Sequence, residues 1–139
     1  MKSKNTFDWC EYYNLANSFS NSNNDAELRT GISRFYYSSF CKCRDFIKDN
    51  KKFLGSESKK IMNSPTPDVH SETINILFNH NDLQPYGAKI GNELSELRRR
   101  RNKADYDSSN YNVKSNYIYV KARTEIIFKH LNQLKKSVT

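Results

Sequence analysis

Turn-forming residues are scarce in this chain, which has only 4 Gly and 3 Pro among 139 residues. That is too few for the many turns of a β-sandwich or β-barrel, so the sequence favours long helices. Hydrophobic residues are also few, at 36%, and no segment approaches the roughly 20 apolar residues that span a bilayer. Because residues 1–10 contain no apolar signal core either, we expect a cytoplasmic protein that does not bind a membrane.

Cysteine is equally scarce, with Cys10, Cys41 and Cys43 making an odd number. Cys41 and Cys43 lie two residues apart on a predicted helix and point in different directions, which excludes a metal-binding pair. The sequence also lacks a Gly-rich phosphate loop, a metal-ligand cluster and a Ser-His-Asp arrangement. We therefore expect reduced, partly buried thiols, and neither a metal nor a cofactor.

Aromatic residues and positive charge are what the chain has in quantity. It contains 9 Tyr, 8 Phe and 1 Trp, and its formal net charge is +8. Aromatic rings must therefore fill much of the core, and a basic surface favours polyanions such as nucleic acid. The alternative is an ordinary solvated surface that keeps the protein soluble.

Apolar spacing predicts a single all-α domain over residues 1–139, an up-and-down bundle of four long helices plus short ones. The clearest helix has apolar residues at alternating steps of four and three from Val113 to Leu134. Asn24 or Asp25 is predicted to cap the second helix, and Asp68 the third. The predicted helices cover residues 7–19, 25–50, 68–78, 86–104 and 113–134, with one short turn at 58–62 inside a loop.

An arginine occupies a position where the fourth of these helices requires a core residue. Ile90, Leu94 and Leu97 form one stripe, and the next stripe positions are Arg101 and Ala104. A guanidinium keeps its proton and is costly to bury unpaired, so Arg101 needs a carboxylate, a phosphate or a second subunit. The neighbouring basic residues fall beside or opposite the stripe and are candidates for nucleic-acid contact: Arg98, Arg99, Arg100 and Lys103.

Purely structural interpretations stay open for each of these residues. Arg101 can form an ion pair with Asp105, four residues on, or with an acid of another helix. Glu96 can pair with Arg100, which would make the arginine run a solvated face. Tyr106 can be an aromatic packed at the helix end, Tyr36 and Tyr37 can be core rings, and His70 can lie near a helix cap.

Two segments of the sequence resemble the motifs of a known family. Residues 33–44 read Ser-Arg-Phe-Tyr-Tyr-Ser-Ser-Phe-Cys-Lys-Cys-Arg and are similar to the second-helix signature of HEPN domains. Residues 101–107 read Arg-Asn-Lys-Ala-Asp-Tyr-Asp and resemble the motif helix of a subgroup with Ala-Asp-Tyr. His70, Ser71 and Glu72 also resemble an intermediate segment of that subgroup, so the likeness covers most of the chain.

The resemblance implies a helical bundle that forms a homodimer through its motif helices. Active members of the family are metal-independent endoribonucleases of toxin–antitoxin pairs and phage defence, often encoded beside a nucleotidyltransferase that serves as antitoxin. By the family pattern Arg101 is the motif arginine and Asn102 its polar neighbour. Tyr106 stands where the family has a histidine.

Metal-free RNA cleavage needs a base for the ribose 2′-OH, a cation for the phosphorane and an acid for the leaving oxygen. Arg101 can supply the cation. Tyrosine, with a reference pKa of about 10, is a poor base at neutral pH, but Tyr106 can donate a proton and Asp105 can accept one. The sequence thus predicts a ribonuclease that binds RNA in a cleft shared by the two subunits, with Tyr37 and His70 as further cleft residues. The alternative is a catalytically silent HEPN module that binds a nucleotide, RNA or a nucleotidyltransferase.

Overall fold

The computed structural model describes residues 6–138, which are helical and contain no strand. This confirms the prediction of an all-α helical bundle. None of the helices in this range has both the length and the hydropathy needed to cross a membrane. The six α-helices are α1 Cys10–Asn17, α2 Asp25–Asp49, α3 Ser56–Met62, α4 Asp68–Asn79, α5 Tyr86–Tyr106 and α6 Val113–Ser137, with 3₁₀ turns at Lys51–Phe53 and Asn81–Leu83.

Helix α2 lies at the centre of the bundle, where it packs against α1, α4, α5 and α6. Helix α5 packs against α4, α2 and α6 in turn. The predicted stripe of α6 is confirmed, because each of its residues is buried: Val113, Tyr117, Val120, Thr124, Ile127, Leu131 and Leu134. Removal of this apolar face from water is the main source of stability for a helix of this kind.

Side-chain caps fix the starts of the two longest helices. The Asn24 side chain accepts a hydrogen bond from the Glu27 backbone N–H at 3.0 Å, and Asn112 caps α6 through the Ser115 N–H at 2.9 Å. Such a cap is worth about 1 kcal/mol. The prediction of Asp68 as a cap is wrong, since Pro67 holds the cap position and Asp68 is the first residue of α4, without a side-chain cap bond.

Helix α1 is shorter than the predicted 7–19. Trp9 immediately precedes it, and the Trp9 indole N–H donates to Asp45 of α2 at 2.7 Å. Helix α5 ends at Tyr106, two residues beyond the predicted end at residue 104. Arg29 of α2 stabilises this end by donating to the carbonyl oxygens of Ala104 at 3.1 Å and Asp107 at 2.6 Å.

Two glycines allow α5 to lie unusually close to α4. A Cβ atom at Gly87 would lie 2.3 Å from the Leu77 carbonyl oxygen, and one at Gly91 would lie 3.0 Å from the Phe78 ring. The backbone oxygen of Leu77 cannot move without disturbing α4. This close approach brings His70 of α4 to the same side of the bundle as Arg98 and Arg101 of α5.

We expect Gly87→Ala to destabilise the protein by about 1–3 kcal/mol, the usual range for overpacking of a well-packed contact. Gly55→Ala is the matched control, because a Cβ there meets no atom within 4 Å. Gly55 is the N-cap of α3, where alanine is a poorer cap, so the control should lower the free energy of unfolding slightly, by less than Gly87→Ala does. Urea unfolding followed by circular dichroism measures both variants. Equal stability of the two would contradict the close α4–α5 contact.

Candidate functional site

Arg101 occupies the core-facing position that the sequence predicts. Ile90, Leu94 and Leu97 of the same stripe are fully buried, and the Arg101 side chain is only 13% exposed. Its guanidinium lies where α5 meets α2. A charge in this position needs polar partners from both helices.

Three residues supply those partners. Arg101 Nε lies 3.2 Å from Asp105 Oδ2, which is ion-pair distance, but this N–H lacks hydrogen-bond geometry toward the carboxylate. Arg101 Nη2 donates to the Tyr37 hydroxyl of α2, and Nη1 donates to the Asn102 side-chain oxygen. The ion pair with Asp105 that the spacing allowed is therefore present.

Tyrosine rings surround the rest of the guanidinium. Its carbon lies 4.8 Å from the centre of the Tyr37 ring, 5.8 Å from that of Tyr36 and 5.9 Å from that of Tyr106. Tyr36 is buried, as the core interpretation expects, whereas Tyr106 is 78% exposed. The alternative that Tyr106 packs at the helix end is therefore wrong, and its phenol is free to meet a ligand.

Three neighbouring cavities, all lined by Tyr37, open along one face of α2. Their volumes are about 420, 430 and 330 Å³. Five of the α2 residues that line them recur at steps of three and four over 15 residues, or about 21 Å of helix axis. We call this surface the α2 groove. These five residues are Arg34, Tyr37, Cys41, Arg44 and Lys48, and Phe40 of α2 lines the smallest cavity as well.

Other elements form the walls of the α2 groove. Helix α5 contributes Arg98, Arg101, Asp105 and Tyr106. Trp9 and Tyr12 lie at the Arg34 end. The opposite wall comes from α4 and the segment before it, including Pro65, Thr66, Pro67 and His70.

Positive charge in the α2 groove is only partly neutralised. The Arg34 guanidinium lies over the rings of Tyr12 at 4.6 Å and Tyr37 at 5.0 Å, and Arg98 donates to the Ser71 hydroxyl at 3.2 Å. Within residues 6–138, neither of them nor Lys48 forms an ion pair. Arg44 differs, since Asp45 lies 3.0 Å from its guanidinium. The groove therefore attracts anions.

His70 is held beside Arg101 by stacking and by one hydrogen bond. Its ring lies 4.0 Å from that of Phe40 at an angle of 9°, and its Nδ1 is 2.6 Å from the Tyr36 hydroxyl. Burial, followed by the positive charges of Arg98 and Arg101, lowers the pKa of His70 to about 4. At neutral pH His70 is therefore an uncharged hydrogen-bonding group in the groove wall.

Most of the basic residues predicted to contact nucleic acid lie away from the α2 groove. Arg99 and Arg100 bind Glu96 at 2.6 and 2.9 Å, and the hydrogen bond from Arg99 is the main reason that the pKa of Glu96 lies below its ordinary value. Lys103 lies over the Tyr111 ring at 4.3 Å. Of the four predicted residues, Arg98 alone lines the groove.

Three residues of the α2 groove were not predicted from the sequence: Arg34, Arg44 and Lys48. Their spacing does place them on one face of α2, because they share with Tyr37 the alternating steps of three and four that the apolar residues of α2 follow on another face. A polar stripe at helical spacing is usually only a solvated surface. It becomes a site here because α4 and α5 lie on either side of it.

The cysteine predictions hold for burial. Cys41 and Cys43 are buried free thiols, and desolvation raises their pKa values to about 11 and about 12. Cys41 lies beneath the α2 groove, whereas Cys43 is in the core. No group of three or more His, Cys, Asp or Glu side chains that could bind a metal ion occurs in the described part of the chain.

His70 gives stability a specific pH dependence. Its pKa is about 6.5 in the unfolded chain and about 4 in the folded protein, so the unfolded state binds more protons between these values. Stability should therefore fall as pH falls from 6.5 to 4. Urea unfolding at pH 7, 5.5 and 4.5 should show a smaller loss for His70→Gln, which cannot titrate. If the free energy of unfolding falls equally with pH in the wild type and in His70→Gln, His70 is not the source of this pH dependence.

Comparison with protein-family models, with curated proteins and with solved structures finds no match to this chain. The likeness to HEPN domains stays a prediction that rests on residues 33–44 and 101–107. What the structure adds is where those two segments lie. They meet at the contact between Arg101 and Tyr37.

Proposed function

We propose that this protein is a metal-independent endoribonuclease of the HEPN type, a toxin or phage-defence effector whose active site is centred on Arg101. The observation that carries the proposal is the state of the Arg101 side chain, which is only 13% exposed, has three polar partners and lines two cavities of the cation-rich α2 groove. An arginine with a purely structural role would need no such groove.

The hydrogen-bond inventory of Arg101 favours a phosphate ligand. A guanidinium has five N–H donors. One Nη1 donor binds Asn102, one Nη2 donor binds Tyr37, and Nε–H lies beside Asp105. The two remaining donors, one on each terminal nitrogen, have no partner within residues 6–138 and are available to phosphate oxygens.

The shape of the α2 groove favours a single strand. Its cations follow the helix for about 21 Å, which suits a chain of phosphates. Aromatic side chains line the Arg34 end of the groove, and unpaired bases stack on side chains of this kind. These are Trp9, Tyr12, Tyr37 and Tyr106.

The chemistry divides among neighbouring residues. Asp105 accepts the 2′-OH proton, and the 2′-oxygen attacks the phosphorus to form a 2′,3′-cyclic phosphate. Arg101 stabilises the charge on the phosphorane oxygens, and the Tyr106 phenol donates a proton to the leaving 5′-oxygen. In the homodimer that the family resemblance implies, the motif helices of two copies bring two such sets of groups to one cleft.

Arg101→Ala should lower the rate of RNA cleavage by about 100-fold or more, as loss of a preorganised transition-state donor does. The rate of the wild type should not change with a chelator. Arg99→Ala is the matched control, because Arg99 is 65% exposed and binds only Glu96 within the described residues. Circular dichroism checks that both variants keep their helical content. Equal cleavage by both variants would exclude a role for Arg101.

A second candidate function is a catalytically silent HEPN module that binds RNA, a nucleotide or a nucleotidyltransferase partner. Tyr106 supports it, because this position has a phenol where the family has an imidazole that titrates near neutrality. The ion pair between Asp105 and Arg101 supports it too, because a carboxylate held by a guanidinium can have a purely structural role.

Tyr106→His separates the two functions. The side chain is highly exposed, so the change should not disturb folding. If the wild type is inactive, a gain of cleavage in this variant would show that only the histidine was missing, whereas continued inactivity with intact RNA binding would favour the binding module. If the wild type is an active ribonuclease, the variant should shift its pH optimum toward neutrality.

A further inference from the structure

The smallest of the three cavities has a different composition from the other two. It is a space of about 330 Å³ between α2 and residues 62–67, which we call the Met62 pocket. Its floor consists of Phe40, Cys41, Met62 and Val69, all buried. Asn63 and Thr66, both exposed, lie at its rim.

We propose that the Met62 pocket is a nucleobase subsite, which accepts the base next to the phosphate bound by Arg101. This inference rests on the proposed function and extends it from a cleavage site to a site that selects sequence. An apolar floor binds a flat heterocycle better than it binds a sugar or a phosphate. Asn63 has no side-chain hydrogen bond within residues 6–138, so its amide donor and acceptor are available to the edge of a base.

The position of the pocket matches one step along a nucleic-acid strand. Tyr37 and His70 line both the Met62 pocket and the cavity that contains Arg98 and Arg101. Arg44 and Lys48 lie at the other end of the pocket, seven and eleven residues along α2 from Tyr37, or about 10 and 16 Å of helix axis. The Met62 pocket therefore lies between two groups of cations. In an extended strand a base lies between two phosphates in the same way, so each group of cations would bind one phosphate and the pocket the base.

A tryptophan at position 66 tests the subsite. Thr66 is exposed at the rim, so Thr66→Trp should fill the pocket without disturbing the core, and Thr66→Ser is the matched control. The probes are 2′-O-methyl pentanucleotides of A, C, G or U, which lack the attacking hydroxyl. A fifth probe is an abasic pentamer with the same number of phosphates. We expect Thr66→Trp to weaken binding of the preferred intact pentamer about tenfold, the loss typical of one base contact, and to leave the abasic pentamer unaffected.

Lys48→Ala provides the complementary measurement. Because Lys48 would contact a phosphate, its removal should weaken the intact and the abasic pentamer by the same factor and reduce the salt dependence of binding. Lys59→Ala, an exposed lysine of α3 outside the pocket, is its control. If Thr66→Trp changes the melting temperature, Asn63→Leu replaces it and should alter the preference among the four bases.

The outcomes separate this inference from the proposed function. The subsite is excluded if Thr66→Trp or Asn63→Leu affects intact and abasic pentamers equally, or affects neither, while Arg101→Ala still lowers cleavage. The phosphate site at Arg101 is excluded, and the subsite retained, if Arg101→Ala changes nothing while Thr66→Trp acts on intact pentamers alone. Both are excluded if the wild type binds neither pentamer.

Discussion

One buried guanidinium links the packing of this bundle to its candidate site. Arg101 stands where α5 requires a core residue, and its charge is tolerated because Asp105 and Asn102 of α5 and Tyr37 of α2 lie around it. The same contacts join the two helices and leave one side of the guanidinium open. Hydrophobic residues in place of a buried ion pair are often neutral or stabilising, so packing alone does not explain the retained charge.

The other helices determine what surrounds that charge. Gly87 and Gly91 let α4 approach α5 closely, and this places His70 beside Arg98 and Arg101. The hydrogen bond between Tyr36 and His70 then fixes the imidazole, while the arginines and burial keep it uncharged. Because the imidazole stays uncharged, it adds no repulsion to the neighbouring charges of Arg98 and Arg101.

Much of the fold follows from the sequence, since apolar spacing reports directly on which face of a helix is buried. Thus the α6 stripe, the Asn24 cap and the inward position of Arg101 were all predictable. Spacing does not report which helix a polar face meets, and so Arg34, Arg44 and Lys48 could not be assigned to a site. For the arginine run the sequence predicted too many groove residues, because neighbours in sequence can lie on different faces of a helix. Arg99 and Arg100 bind Glu96 and lie away from the α2 groove.

The division of charge has a consequence for reactivity. Arg101 holds Asp105 in an ion pair at 3.2 Å, and the same proximity places the carboxylate next to any phosphate that Arg101 binds. In the proposed ribonuclease, phosphate oxygens compete with Asp105 for the guanidinium, which leaves a carboxylate oxygen to accept a hydrogen bond from the substrate. Tyr106, 78% exposed beside them, supplies an O–H donor. An aspartate and a tyrosine can in this way divide the work that a histidine performs alone.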